Sequence, residues 1–298
     1  MKEIEEPITL VTVCDDQFVV LMAALLKSIE INHLSHEDII VYIVNDGISK
    51  TNQRKLLSSL SSQKLNIIWK SMDEAIPKNL KLPLDNTTFP ANTYARICIP
   101  YFIPVEATKA IYLDVDMIVL EDISKLWHTD IGNSIIAAVS DRSEIVSSPW
   151  GGIKNYKELG LDPLSGYFNS GLFVLRPQMW REQNITEKVF RCAEENLEYI
   201  NFADQYSLNV VFNNSWHKLD KRWNCYAQND DESPYLIHFT GMKPIYKGYE
   251  SNEAYKNLFF DYLRLTSWTN LKPKSDLIRF LKKFYNRVVK KTSAFLRT

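Results

Sequence analysis

The chain has 298 residues, 45% hydrophobic and 24% charged, with a net charge of −1; this is the composition of a globular protein with a sizeable core, and it excludes a disordered or fibrous chain. No apolar stretch reaches the ~18 residues needed to span a bilayer. The four cysteines, Cys14, Cys98, Cys192 and Cys225, have no CxxC or metal-finger spacing and suit packing positions in a reducing compartment.

The opening MKEIEEPITL places acids before the first apolar run. It reads as neither a secretory signal nor a transit peptide, so a cytoplasmic location is expected. Residues 8–14 (ITLVTVC) form a short β-branched run that predicts a buried strand. After DDQF, residues 19–31 show helical spacing. Residues 39–44 predict a second strand closed by Asn45-Asp46-Gly47, Ser49 caps a helix to about Ser61, and residues 65–69 predict a third strand. Alternation of this kind predicts a doubly wound, mostly parallel sheet with helices on both faces. Ligands in such sheets gather beyond the carboxyl ends of the strands, here at Asp15, Asp16 and Asn45. Residues 72–92, with Pro77, Pro83 and Pro90, read as an irregular loop. A helix follows at 94–99 and carries Arg96. Strands are predicted at 110–113, at 135–139 (closing on Ser140-Asp141-Arg142) and from about 167 to 175, and a helix at 183–199.

Residues 111–116 read IYLDVD. Continued along a strand, period-two alternation sets Asp114 and Asp116 on one face and Val115 on the other. A lone Asp-x-Asp is most often a solvated turn, but this pair follows an apolar strand directly. Two hard carboxylates supplying part of a coordination sphere suit Mn²⁺ or Mg²⁺ that takes its other ligands from phosphates. Residues 237–247 read IHFTGMKPIYK. A single histidine is more often a packed or surface residue than a ligand. With Gly241 and Lys243 so close, however, His238 can complete a Mn²⁺ sphere while the glycine backbone and the ammonium face a diphosphate.

In chain order, ITLVTVCDDQF (8–18), YAR (94–96), IYLDVDMIV (111–119), YFNSGLFVL (167–175), ADQYSLN (203–209) and HFTGMKP (238–244) together resemble glycosyltransferase family 8, over roughly residues 8–250. The resemblance implies a GT-A fold, a Rossmann-like mostly parallel sheet, with a UDP-glucose or UDP-galactose donor and Mn²⁺ or Mg²⁺ as cofactor. It implies Asp114, Asp116 and His238 as metal ligands. Val13, Asp15, Gln17 and Phe18 would lie against uracil and ribose, with Val115 also lining the donor. Gly241 and Lys243 would hold the diphosphate, and Arg96, Asp141, Asn169, Asp204 and Gln205 would surround the donor sugar. The family's closing HxxGxxKPW is one residue shorter here and has Ile245 for the tryptophan, which leaves Lys247 as an alternative to Lys243. An amide at Gln205 is a poor nucleophile, so retention points to front-face attack, with Asp204 orienting hydroxyls and its nucleophilic role left open. Asp204 and Gln205 also read as a helix N-cap.

Two rivals stand beside this reading: a haloacid dehalogenase-type phosphatase, which would place its Asp-x-Asp on the first strand, and a catalytically inactive nucleotide-sugar or glycan-binding module. The expected division is a catalytic domain over 1–250 and a helical tail over 251–298. From Leu265 to Thr298 there are nine basic residues and one acid, so a segment of +8 is attached to a body of −9. Leu277, Phe280, Leu281, Phe284, Tyr285 and Val288 fall on one helix face, with Arg279, Lys282, Lys283, Arg287 and Lys290 on the other. Such a helix either docks on the domain or lies on an anionic membrane, which would make the protein peripheral to the inner face of the cell membrane, with a saccharide or glycolipid acceptor. No nucleic-acid partner is expected of a body this acidic.

Overall fold

The computed structural model describes residues 6–60 and 65–277, and residues 280, 281, 284, 285 and 288 beyond them. The strands are β1 (Ile8–Asp15), β2 (Ile39–Asp46), β3 (Leu65–Ser71), β4 (Ala110–Leu113), β5 (Met117–Val119), β6 (Ile136–Ile145), β7 (Gly166–Leu175), β8 (His217–Lys218), β9 (Cys225–Tyr226) and β10 (Leu236–His238). The α-helices are α1 (Val19–Asn32), α2 (Lys50–Ser59), α3 (Met72–Ala75), α4 (Ile99–Phe102), α5 (Ser124–Trp127), α6 (Pro177–Glu182), α7 (Ile185–Glu195), α8 (Asp204–Val211) and α9 (Glu253–Arg264). Arg96 lies on a 3₁₀ helix, Ala91–Cys98. The chain divides into two compact units, the first made of Met1–Ser71, Ala110–Asp130 and Asp220–Asp276, the second of Met72–Lys109, Ile131–Leu219 and Leu277–Thr298.

In the first unit β3, β2, β1 and β4 run parallel in that order. β1 has six residues buried of its eight, which explains its unbroken apolar sequence: a strand covered on both faces has no polar side to alternate with. α1 is buried on nearly all sides, as its apolar composition requires, and Asp15 starts it by accepting from the N–H groups of Gln17 (2.9 Å) and Phe18 (3.0 Å). Ser49 caps α2, its hydroxyl accepting from Asn52 N at 3.3 Å. A second sheet, in order β5-β10-β9, pairs β10 antiparallel with β5 and parallel with β9. The free edge of β5 is satisfied by α1, because Ser28 Oγ accepts from Val119 N (2.9 Å) and Asn32 Nδ2 donates to Val119 O (2.8 Å).

The first unit takes in residues on both sides of residue 250. α9 buries Tyr255, Phe259 and Leu263 in one apolar cluster with Val20 and Leu21 of α1. Lys274 N donates to Ile245 O (2.7 Å) and Gly248 N to Asp276 (3.2 Å). The physical reason is the i, i+4, i+8 apolar stripe of α9, which needs a partner face. Beyond Asp276 the described residues are helical, and Leu277, Phe280, Leu281, Phe284, Tyr285 and Val288 are exposed; Arg279, Lys282, Lys283, Arg287 and Lys290 lie outside the described residues. Among the described residues no helix is long and apolar enough to cross a membrane. All four cysteines are buried and outside any disulfide, and burial pushes the thiols of Cys98 and Cys225 up to about 12, so these two are inert packing groups.

In the second unit β6 pairs antiparallel with β7 and parallel with β8. The β6–β7 register shifts between Ala138 and Ser140 and again between Ser140 and Ile145. β6 thus extends past the predicted end at 139, and Asp141 sits in an irregular stretch of strand, a device that re-aims side chains.

Glu37 is one source of acid sensitivity in the first unit. Burial pushes this carboxyl up, but the hydrogen bond with His128 (2.6 Å) outweighs it, and the pKa falls from 4.5 to about 2. A depressed carboxyl pKa contributes stability that is complete above the unfolded value and is lost as pH falls through the folded one. Urea unfolding is therefore expected to show stability declining from about pH 4.5 towards pH 2, and His128→Ala to flatten that limb.

Candidate active site

The first unit brings Asp114, Asp116 and His238 together, one ligand atom from each lying within 4.8 Å of the others. The route differs from the period-two expectation. β4 stops at Leu113, and 114–116 form a bend before β5 begins at Met117. The β5–β10 pairing places Met117 opposite His238, and Phe239 N donates to Asp116 O at 2.9 Å. Asp116 and His238 thus meet across adjoining rungs of an antiparallel ladder. Tyr112 donates its hydroxyl to Asp114 Oδ1 at 2.7 Å; the sequence reading overlooked this residue, although a tyrosine two positions before an aspartate is the available signal.

His238 Nε2 faces both carboxylates, 3.5 Å from Asp116 Oδ1 and 3.9 Å from Asp114 Oδ2. Asp116 is 7% exposed. Burial pushes its carboxyl up, but the Lys243 ammonium and His238 beside it hold it well below the usual carboxylate range. Two carboxylates and an imidazole nitrogen facing one point form a donor set that fits a divalent ion such as Mn²⁺ or Mg²⁺. Lys243, expected on a phosphate, forms an ion pair with Asp116 Oδ2 and donates to Phe239 O (2.8 Å). Gly241 has φ +76, the left-handed backbone that glycine adopts without cost.

The other residues expected near the nucleoside occupy the end of β1. Val13 is half-buried opposite Val44. Asp16 binds Ser49 N (2.8 Å) and Asn52 Nδ2 (2.7 Å); partial burial pushes its carboxyl up, and these bonds bring it below its ordinary value. Gln17 Nε2 donates to Tyr246 OH at 2.6 Å. Phe18 and Val115 are half-buried against the apolar cluster of α1 and α9.

The second unit gathers Arg96, Asp141, Asn169, Asp204 and Gln205, all buried. Asn169 Nδ2 donates to Asp141 Oδ2 (3.0 Å) and to Gln205 Oε1 (3.1 Å), and Gln205 Oε1 also accepts from Ser170 N (3.1 Å). Asp141 Oδ1 accepts from Ser143 N at 3.0 Å. Arg96 donates to Ser170 O (2.7 Å) and lies 3.4 Å from Asp204 Oδ2. Asp204 is the first residue of α8 and not its cap; the cap is Ala203, with φ +46 and no side-chain bond. A non-glycine residue held there is strained, and the turn it makes directs Asp204 and Gln205 from the first turn of α8. Asn209, one helical turn after Gln205, accepts from Phe168 N (2.8 Å) and donates to Phe168 O and Gln205 O (both 2.9 Å), so α8 is fixed to the strand that carries Asn169.

The profile of glycosyl transferase family 8 matches residues 9–244. General stress protein A of Bacillus subtilis is 28% identical over 90% of this chain and 96% of its own length. The glycosyltransferase GlyB of Streptococcus pneumoniae is 26% identical over 80% of this chain and 57% of its own. Among solved structures, the galactosyltransferase LgtC superposes with a TM-score of 0.72 at 21% identity, covering 88% of this chain and 99% of that one. The bifunctional glycosyltransferase WbbM gives the same TM-score at 22% identity over 90% of this chain and 51% of its own. These likenesses set the fold as GT-A, and the family match extends over most of the chain: it belongs to glycosyl transferase family 8 and is a glycosyltransferase.

Proposed function

We propose that the protein is a retaining, metal-dependent hexosyltransferase that moves glucose or galactose from a UDP-sugar to a saccharide or glycolipid acceptor. The convergence of Asp114, Asp116 and His238 carries this reading, with Mn²⁺ as the preferred ion because an imidazole joins two carboxylates. Bound there, the ion would offset charge developing on the leaving diphosphate. Val13, Asp15, Gln17 and Phe18 hold the nucleoside, while Gly241 and Lys243 take the diphosphate. Arg96, Asp141, Asn169, Asp204 and Gln205 orient the sugar.

In the step itself the bond from the anomeric carbon to the UDP oxygen breaks and a bond to the acceptor oxygen forms on the same face. The acceptor proton passes to the leaving phosphate oxygen. Asp204 is 1% exposed and paired with Arg96, and Gln205 is an amide; both facts support front-face attack over a covalent intermediate. Mass spectrometry during turnover is expected to find no sugar attached to Asp204; a glycosyl adduct there would reverse the assignment. The overall test is UDP release from a panel of UDP-sugars with Mn²⁺, with release abolished by EDTA. No release with any donor would favour an inactive binding module.

The tail is assigned to an anionic membrane surface. Its described apolar residues are exposed, and the segment carries +8, the pairing that interfacial helices use. Full-length protein is expected to sediment with anionic vesicles in a salt-sensitive way, and a chain ending at Asp276 to lose that binding. Equal binding by both would remove the assignment.

A further inference from the structure

The imidazole that faces Asp114 and Asp116 is held from behind. His238 Nδ1 lies 2.9 Å from Asn224 Oδ1, and Asn224 is 3% exposed. It closes the 3₁₀ turn Lys221–Asn224, and the next two residues form β9, which pairs with β10 in the register Tyr226↔His238. Tyr226 stacks beside the imidazole, ring centroids 6.1 Å apart and 30° between planes. Ala227 N donates to His238 O at 3.0 Å. The turn, the strand and the stacked ring therefore fix the histidine's backbone, its ring plane and its Nδ1 side.

We propose that Asn224 is a positioning residue for the divalent-ion site, holding His238 as the tautomer that presents Nε2 to the ion; this rests on the metal-dependent reading above. A carbonyl oxygen accepts and does not donate, so an Nδ1 bonded to it carries the proton. The neutral ring then has its lone pair on Nε2, the atom 3.5 Å from Asp116 Oδ1 and 3.9 Å from Asp114 Oδ2. Bonds of this kind from behind a ligating histidine raise its basicity and fix its aim. Without Asn224 the ring would divide between tautomers, and in one of them Nε2–H would point a proton at the ion.

The test is Mn²⁺ alone, titrated into full-length protein, with free Mn²⁺ read by electron paramagnetic resonance and metal-free thermal midpoints as the check on folding. Asn224→Leu, with Asn224→Ala as a second truncation in case leucine overfills the site, is expected to weaken binding by roughly 10–100-fold. Asn224→Asp keeps an acceptor and lacks a donor, so it is expected to remain within about threefold of wild type or to bind more tightly. In a His238→Ala background, Asn224→Leu is expected to cost nothing further, because the two act through one ligand. The proposal is overturned by truncations that bind as wild type does, by an aspartate variant as weak as the leucine one, or by a full additional loss in the His238→Ala background. If Asp116→Ala and His238→Ala bind Mn²⁺ as wild type does, the metal reading itself fails and the Asn224 proposal with it. That result is distinct from one in which those two lose binding and Asn224→Leu does not.

Discussion

Asp116→Ala is expected to lower kcat/KM for UDP-sugar turnover by at least about 10²–10³-fold, the loss typical of removing a group that stabilises developing charge. The carboxylate faces His238 Nε2 and pairs with Lys243, so the substitution removes a candidate ion ligand and releases a lysine at once. The fold is expected to survive. Asp116 Cβ and backbone remain, with Asp116 O still accepting from Phe239 N, and the Lys243 side chain is 20% exposed, enough for its ammonium to turn to water. Near-ultraviolet circular dichroism like that of wild type, together with lost turnover, is the predicted pair of results. A variant with full EDTA-sensitive activity would remove Asp116 from the site.

Asp204→Ala should have the largest effect on stability, about 3–5 kcal/mol by chemical unfolding. The pair it breaks is buried on both sides, Asp204 at 1% and Arg96 at 6% exposure. Arg96 would remain fixed by Thr93 O (3.0 Å) and Ser170 O (2.7 Å), leaving a cation without its carboxylate in a dry environment. Replacing both partners with apolar residues, Arg96→Met with Asp204→Leu, should recover much of the stability, since such pairs often exchange for apolar packing at little cost. Activity should not recover with it. That separation tells a site residue from a purely structural ion pair; recovery of both would assign Asp204 to the fold alone.

The sequence was most informative where local chemistry decides the outcome. The β-α-β-α-β order of residues 8–71 follows from apolar runs and punctuation, and Ser49 was identifiable as a cap because its hydroxyl bonds three residues on. The residues of the candidate metal site were legible as types, but their geometry was not. The strand was expected at 110–113, where β4 lies, but its period-two alternation does not carry on through Asp116, and what brings the carboxylates to His238 is the pairing of two three-residue strands, MIV and LIH. Runs that short carry no periodicity, so pairing specified by register is invisible in one sequence. Lys243 on Asp116 was likewise beyond reach, since a charge chooses among partners only once they share a space. Asp204 as a cap was a reasonable local reading, overridden by the positive φ of Ala203 one residue earlier.

The β5–β10 ladder also sets when the site comes into being. About 120 residues separate Asp116 from His238, and contacts of such long sequence separation form late because loop closure must come first. During synthesis the two carboxylates emerge long before their third partner, and β9, which backs His238, comes from the same late segment. If the proposed ion site binds Mn²⁺, it reports completed folding: in a refolding experiment, Mn²⁺ uptake should lag the recovery of secondary structure in residues 8–71 and coincide with the final phase.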